Sequence, residues 1–280
     1  MSEVRLGHFL LSLGGLGLAR HLLDPDRTQF ESTLETVCRT VEGLGEPPLC
    51  LGAEIPERNL FAGYAEWAST YDSFPNPLID VEEEELSEIL DGIPPGRALD
   101  VACGTGRLAQ RLRELGHNCV GIDQSAEMLG IARPKLPGVP LALGQLEDIP
   151  LRSRTVDLVV CCLALSHLAD IGPALLELAR VTRPGGRILI SDFHPIMILM
   201  GGQALYRRRD GSSAFVQSHA HLYSECLDAF SAAGLTVIGC RERTWGESAW
   251  KSGVAALAPD LARVAWEGLP AAIVWTLVSA

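Results

Sequence analysis

Residues 98–108 read ALDVACGTGRL, an apolar stretch that runs through two glycines into the start of a helical pattern. Ala98–Ala102 is short and apolar, as a buried parallel strand requires, and Arg107–Leu115 has helical spacing of Leu108, Leu112 and Leu115. Gly104 and Gly106 between them permit positive φ and let a ligand lie against bare backbone. The first amides of the following helix point toward whatever rests there. A strand, a glycine turn and a helix in this order predict a ligand site at the carboxyl edge of an open α/β sheet.

The pattern continues outward on both sides. Asn118–Ile122 reads as a second strand ending at Asp123, and Ser125 to about Arg133 as a helix. Val139–Leu143 and the continuous apolar run Val156–Ala164 are further strands. Pro173–Thr182 is a helix and Arg187–Ser191 a strand. This alternation implies a parallel sheet covered by helices on both faces. Residues 193–222 break the rhythm with Gly201–Gly202, Arg207–Arg208–Arg209 and three histidines. Ser224–Ala233 then reads as a helix, Leu235–Cys240 as a strand, 243–269 as an insertion and Ala271–Val278 as the closing strand.

Toward the amino terminus, Asp24–Pro25 looks like a helix start, and Phe30, Leu34, Val37, Cys38 and Val41 repeat at helical spacing until Gly43. Leu60, Tyr64, Trp67 and Tyr71 share one face of a second helix, and Asp80 to Leu90 forms an acidic third. We therefore expect a helical N-terminal extension over 1–55 and an α/β domain over 56–280, with substrate-lid insertions at about 193–222 and 243–269. The apolar run Phe9–Ala19 has the length of a signal peptide. However, Glu3 and His8 dilute its basic flank, and it is too short to span a bilayer. Its apolar area predicts a helix packed on the body or on a second copy, as in a homodimer.

Composition bounds the partners. The chain has 280 residues, 47% hydrophobic, and a formal net charge of −12, with no Lys/Arg stripe. A surface that tracks phosphates needs local positive charge, so no nucleic-acid partner and no membrane span are expected. The arginine run 207–209 reads as a solvated loop. Eight cysteines show no CxxC spacing, and Cys103, Cys119, Cys161 and Cys162 fall in or beside strand-like runs. Buried free thiols of this kind point to a reducing, cytoplasmic setting.

Which nucleoside the glycine turn takes is left open by the glycines, and a neighbouring residue tilts the balance. Gly104–Ala109 formally fits G-x-G-x-x-G/A, the dinucleotide fingerprint. Asp100, four residues before the first glycine, would repel a pyrophosphate and welcome a cationic aminoacyl end. Asp123 can accept two hydrogen bonds from a ribose diol.

LDVACGTG resembles motif I of the class I S-adenosylmethionine-dependent methyltransferases, in the branch with the ubiquinone/menaquinone-type and many small-molecule enzymes. VGIDQSAEML (120–129) resembles the acidic-strand motif, LGQLEDIPL (143–151) the segment that clasps adenine, and LARVTRPGGRILISDF (178–193) the helix–turn–strand that follows. The resemblance covers about residues 60–195. It implies a doubly wound, Rossmann-like seven-stranded sheet with the last strand antiparallel. It also implies S-adenosyl-L-methionine as cofactor and methyl transfer to the oxygen, nitrogen or carbon of a small molecule.

Carried over by residue, Asp100, Gly104 and Gly106 line the methionine end, and Asp123 holds the ribose. Gln124 and Met128 flank the adenine, Leu146 and Glu147 meet its edge, and Cys162 or its neighbours sit beneath the sulfonium. Relatives commonly carry Asp where Gln145 stands, a departure that bears on adenine contact through that side chain. Tyr64 and Tyr71 resemble aromatics that cover the cofactor, and equally suit the core face of an amphipathic helix. His167, His194, His219 and His221 are the candidates for a base or substrate contact. His194, His219 and His221 together would be the only metal set, and no metal is expected. Trp245, Trp250 and Trp266 read either as the roof of an apolar substrate or as packing anchors. Three rivals remain: a non-methylating S-adenosylmethionine enzyme such as a cyclase, a nicotinamide-dependent dehydrogenase on the same turn, and a non-catalytic subunit that keeps the fold.

Overall fold

The computed structural model describes residues 3–280, and the chain divides into two compact units. One contains the N-terminal residues through Pro56, Pro75–Asp80 and Thr244–Leu269. Its helices α1 (Leu6–Arg20) and α2 (Thr28–Glu42) pack with the helix Pro259–Trp266. Glycines make this close approach possible: a Cβ on Gly14 would lie 2.4 Å from Val37 Cγ2, and one on Gly17 2.9 Å from Val264 Cγ1. Trp250 is buried against Leu13, Leu261 and Ala265, with Trp245 and Trp266 packed alongside. The three tryptophans therefore act as packing anchors of this unit. Of the insertion 243–269, read from the sequence as a lid on the α/β domain, Thr244–Leu269 are grouped here with the N-terminal segment.

The second unit holds Glu57–Phe74, Val81–Arg243 and Pro270–Ala280. Ahead of its sheet come α3 (Leu60–Trp67), started by Asn59 accepting from the Ala62 amide, and α4 (Pro77–Asp91). The Pro75–Asn76–Pro77 breaker thus separates the two, and its second proline opens α4 rather than merely ending the helix before.

The sheet has seven strands: β1 (Arg97–Val101), β2 (Asn118–Asp123), β3 (Leu141–Leu143), β4 (Val156–Cys162), β5 (Thr182–Phe193), β6 (Leu235–Thr244) and β7 (Pro270–Ser279). Their spatial order is β6-β7-β5-β4-β1-β2-β3. Strands β1 to β5 pair in parallel, and β7 runs antiparallel to β5, with Ala272 opposite Phe193 and Val278 opposite Arg187. The doubly wound, Rossmann-like sheet expected from the sequence is therefore present. The order reverses between β1 and β4, the switch point where such sheets open a crevice. Helices α5 (Arg107–Glu114), α6 (Ala126–Lys135) and α7 (Gly172–Val181) make the crossovers. Leu99, Val101, Val159 and Ile190 build the core on one face of the sheet, and Ala98, Leu158, Val160 and Leu189 on the other. Burial on both faces explains why these strands read as continuous apolar runs.

Residues 193–222, which the sequence reads as loosened, contain real structure. His194 starts the short helix α8 (Pro195–Leu199), and Ala204–Arg207 pairs with Ser213–Val216 as a hairpin. That hairpin joins Glu57–Arg58 in parallel to make a three-stranded sheet. Tyr206, Ala214 and Val216 pack against Leu60, Tyr64 and Trp67, so the hairpin holds α3 in place. The arginine run also differs from a simple solvated loop. Arg207 ends a strand over the Phe74 ring, and Arg208 is ion-paired with Glu66. Helix α9 (Tyr223–Ala232) closes the segment.

Candidate functional site

The glycine turn is built as its residues dictate. Gly104 adopts φ +53° and Gly106 φ +90°, conformations that any side chain would strain. Their surroundings differ. A Cβ on Gly106 would lie 2.5 Å from Leu136 Cδ1, so this glycine lets α5 pack on the segment after α6. A Cβ on Gly104 would meet nothing within 4 Å, so that side of its backbone faces open space. Next to it stands Asp123 at the end of β2. Its Oδ2 accepts from the Gly104 amide at 2.7 Å and its Oδ1 from the Ser125 amide at 2.8 Å. Burial pushes this carboxyl above its ordinary range, while the amide bonds pull the other way.

A cleft of about 600 Å³ opens over this floor. Among the residues expected from the sequence, Tyr64, Tyr71, Gly104, Asp123, Gln124, Leu146, Glu147, Cys162 and His167 line it together. Leu60, Ala102, Gly144 and Ala164 line it too, and the sequence reading did not pick them as site residues. Leu60 was legible as the helical neighbour of Tyr64. Ala102 and Leu163 sit at the carboxyl ends of β1 and β4 with φ +57° and +53°. Two non-glycine residues held left-handed on one cleft are a strain that only the assembled sheet edge maintains.

Other expected residues lie outside the cleft lining. Asp100 is buried in β1, and its Oδ2 accepts from the Ala109 amide at 2.7 Å, stitching the strand to α5. Burial raises its pKa to about 7 against the opposing pull of that amide. The Met128 side chain is wholly buried, and its amide donates to Ser125 Oγ at the start of α6. Gln145 forms a bridge with Asp148 that shapes the turn carrying Leu146 and Glu147.

His167 is held at both nitrogens. Its Nδ1 lies 3.1 Å from the Gln217 carbonyl, so Nδ1 carries the proton, and Nε2 accepts from the Tyr64 hydroxyl at 2.7 Å. Burial pushes the imidazole below its ordinary pKa. His194 sits elsewhere: its Nδ1 accepts from the Ile196 amide at the start of α8, and its Nε2 meets Tyr223 and Glu242. His219 and His221 line a second cavity of about 420 Å³, with Asp192, Tyr223, Phe230 and Trp275. Among the described residues no three metal-ligating side chains gather.

One buried cluster had no signal beyond the Arg that follows the glycine turn. Glu82, in α4, is fully buried, pairs with Arg107 and accepts from the Ser191 hydroxyl. It joins α4, α5 and β5, and burial raises its pKa despite the guanidinium.

Residues 99–190 match the family model described as a methyltransferase domain. The chain is 34% identical over 152 residues to malonyl-[acyl-carrier protein] O-methyltransferase of Yersinia pestis, covering 52% of each chain. It is 29% identical over 187 residues to demethylmenaquinone methyltransferase of Streptomyces avermitilis, covering 63% of this chain and 81% of that protein. The chain spans about half the length of the first of these relatives. In fold it resembles an S-adenosylmethionine-dependent methyltransferase from Mesorhizobium loti, with TM-score 0.51 and 20% identity over 78% of this chain and 99% of that one. It also resembles DhpI in its SAH complex, with TM-score 0.56 and 22% identity over 78% and 94%. With the sheet order, the glycine turn and the acidic second strand already in hand, residues 99–190 carry a methyltransferase domain, set in a fold that resembles the S-adenosylmethionine-dependent methyltransferases of known structure.

Proposed function

We propose that this protein binds S-adenosyl-L-methionine in the 600 Å³ cleft and transfers its methyl group to a small-molecule acceptor. The observation that carries this reading is the open, left-handed Gly104 beside the buried Asp123 carboxylate at the sheet's switch point. The residues fit the cofactor. A carboxylate suits a ribose diol, bare glycine backbone admits close approach, and Tyr64, Tyr71 and Leu146 supply apolar cover. Bound there, the cofactor supplies a methyl carbon activated by a positive sulfur.

The protein's own work is alignment and exclusion of water. Tyr64, tied to His167, covers the cleft from α3, and the hairpin behind it keeps that helix in place. His167 has its accepting nitrogen filled, so its present geometry is that of a wall and anchor rather than a free base. Asp192 is equally committed, accepting from the Ser166 and Phe193 amides. The names of the relatives, a malonyl-carrier and a demethylmenaquinone enzyme, support a small or carrier-bound acceptor.

Incubation with S-adenosylmethionine and a panel of nucleophiles, read by mass spectrometry, tests this. Release of S-adenosylhomocysteine is expected. Methylthioadenosine as product would favour the non-methylating reading, and NADH binding without S-adenosylmethionine binding would favour the dehydrogenase.

The setting and partners belong to the same proposal. The charge of −12 supports the absence of a nucleic-acid partner, and buried Cys103, Cys119 and Cys161 support a cytoplasmic setting. Among the described residues no helix is long and apolar enough to cross a membrane. Exposed Leu22 and Leu23 after α1 and Val41 in α2 support a homodimer, to be checked by native mass spectrometry.

A further inference from the structure

Behind the cleft, the turn Leu165–His167 acts as a partition. Ala164 and His167 line the cleft, whereas Leu165 and Ser166 line the second cavity. His219 belongs to that cavity, and its amide donates to the Ser166 carbonyl at 2.6 Å. Its ring is close enough to depress the His167 pKa. The two spaces are therefore neighbours across a single turn.

The walls of the cavity are specific in kind. Trp275 forms the hub of an aromatic cluster, edge-on to Phe230 at 5.3 Å and to Tyr223 at 6.0 Å between centroids. Ile190 and Ile273 extend the apolar surface. Asp192 is the charged side chain in the lining, and neither cavity is lined by Lys or Arg among the described residues. Both Asp192 oxygens already accept from amides. His221 donates from Nε2 to the Leu168 carbonyl at 2.8 Å, which leaves Nδ1 as its accepting nitrogen. The His219 ring has no hydrogen bond to a described residue. Such a space offers acceptors to a ligand's O–H and aromatic faces to its ring. An anion brought there would lose its hydration without gaining a counter-charge.

We infer that this 420 Å³ cavity is the acceptor pocket, and that it selects a flat, uncharged ring compound bearing a hydroxyl, held by His219, over carboxylates and phosphates. The inference rests on the methyltransferase reading for the word acceptor, but the binding itself is independent of it.

The test uses the full chain and two probes of equal size, 2-naphthol and 2-naphthoate. Binding is read by quenching of tryptophan fluorescence and by calorimetry. Naphthol is expected to bind at least tenfold more tightly than naphthoate, with quenching that disappears in Trp275→Phe. His219→Ala should weaken naphthol at least fivefold while leaving naphthalene unchanged, which isolates the hydrogen bond from the packing. Equal or tighter naphthoate binding overturns the selection, and quenching that persists in Trp275→Phe overturns the location. Unchanged naphthol affinity in His219→Ala overturns the anchor. Should Trp275→Phe melt well below the wild type, fluorine NMR of a fluoronaphthol displaced by naphthol replaces that arm, and no displacement overturns the pocket. S-adenosylhomocysteine affinity is measured in parallel. Its loss alone counts against the methyltransferase reading, and loss of naphthol alone counts against the acceptor pocket.

Discussion

The Tyr64 hydroxyl donates to His167 Nε2 at 2.7 Å across 103 residues of sequence, joining α3 to the turn after β4. Because Nδ1–H is spent on the Gln217 carbonyl, this bond fixes the tautomer of the imidazole as well as its position. Truncation to Tyr64→Phe should cost about 1 kcal/mol of stability, the usual net value of one such bond. S-adenosylhomocysteine affinity should fall severalfold. A double-mutant cycle with His167→Ala, read by denaturant unfolding, should return a coupling of about 0.5–3 kcal/mol. Strict additivity would mean the contact is incidental.

The two glycines of the turn should fail differently. Gly106→Ala combines a left-handed alanine with a Cβ 2.5 Å from Leu136, so unfolding should become easier by roughly 2–4 kcal/mol. Gly104→Ala meets no neighbour and should cost only about 1–2 kcal/mol of strain. Its methyl, however, would occupy the floor of the cleft. Calorimetry should show a loss of S-adenosylhomocysteine affinity that exceeds the change in stability. Similar behaviour of the two variants would contradict this division of labour.

Asp100 gives the fold a pH dependence of defined sign. Its pKa is raised by burial from 3.8 to about 7, so between pH 4 and 7 the folded state holds a proton that the unfolded chain has lost. Stability from this group is therefore greatest below about pH 4 and declines as pH rises through 7. Asp100→Asn keeps an acceptor for the Ala109 amide and cannot ionise. Urea midpoints at pH 5 and pH 8 should drop more for the wild type than for the variant. Parallel pH profiles would show that Asp100 does not titrate in this window.

Glu82 is a buried charge satisfied by Arg107 and Ser191. Glu82→Met leaves the guanidinium uncompensated and should destabilise by about 3–5 kcal/mol. The double variant Glu82→Met/Arg107→Met removes both charges and should recover at least half of that loss in thermal or denaturant unfolding. A double variant as unstable as the single one would mean that Glu82 acts through its other partner, Ser191.

Local rules carry far in this chain because they are repeated. Apolar strands buried on both faces, a glycine turn that needs positive φ, and an acidic strand end are each enforced by nearest neighbours. The α/β class and much of the cleft, from Gly104 and Asp123 to Leu146 and His167, were therefore legible in the sequence. What lay beyond reach depends on which segments meet. Asp100 lies just before the glycine turn and Met128 within the acidic-strand motif, yet strand and helix geometry turns them into the core. His194 looks like its fellow histidines, but a proline after it starts a helix whose amide takes its Nδ1. The hairpin 204–216 carries an arginine run that hides its alternation, and only its partners Glu57–Arg58 and α3 give it a reason to form. Sequence alone set the sheet and its glycine turn, since these answer to backbone geometry and burial. Tertiary structure alone decided that His167 is locked by Tyr64 and that His219 faces an aromatic cavity, because both depend on chain segments brought together from far apart.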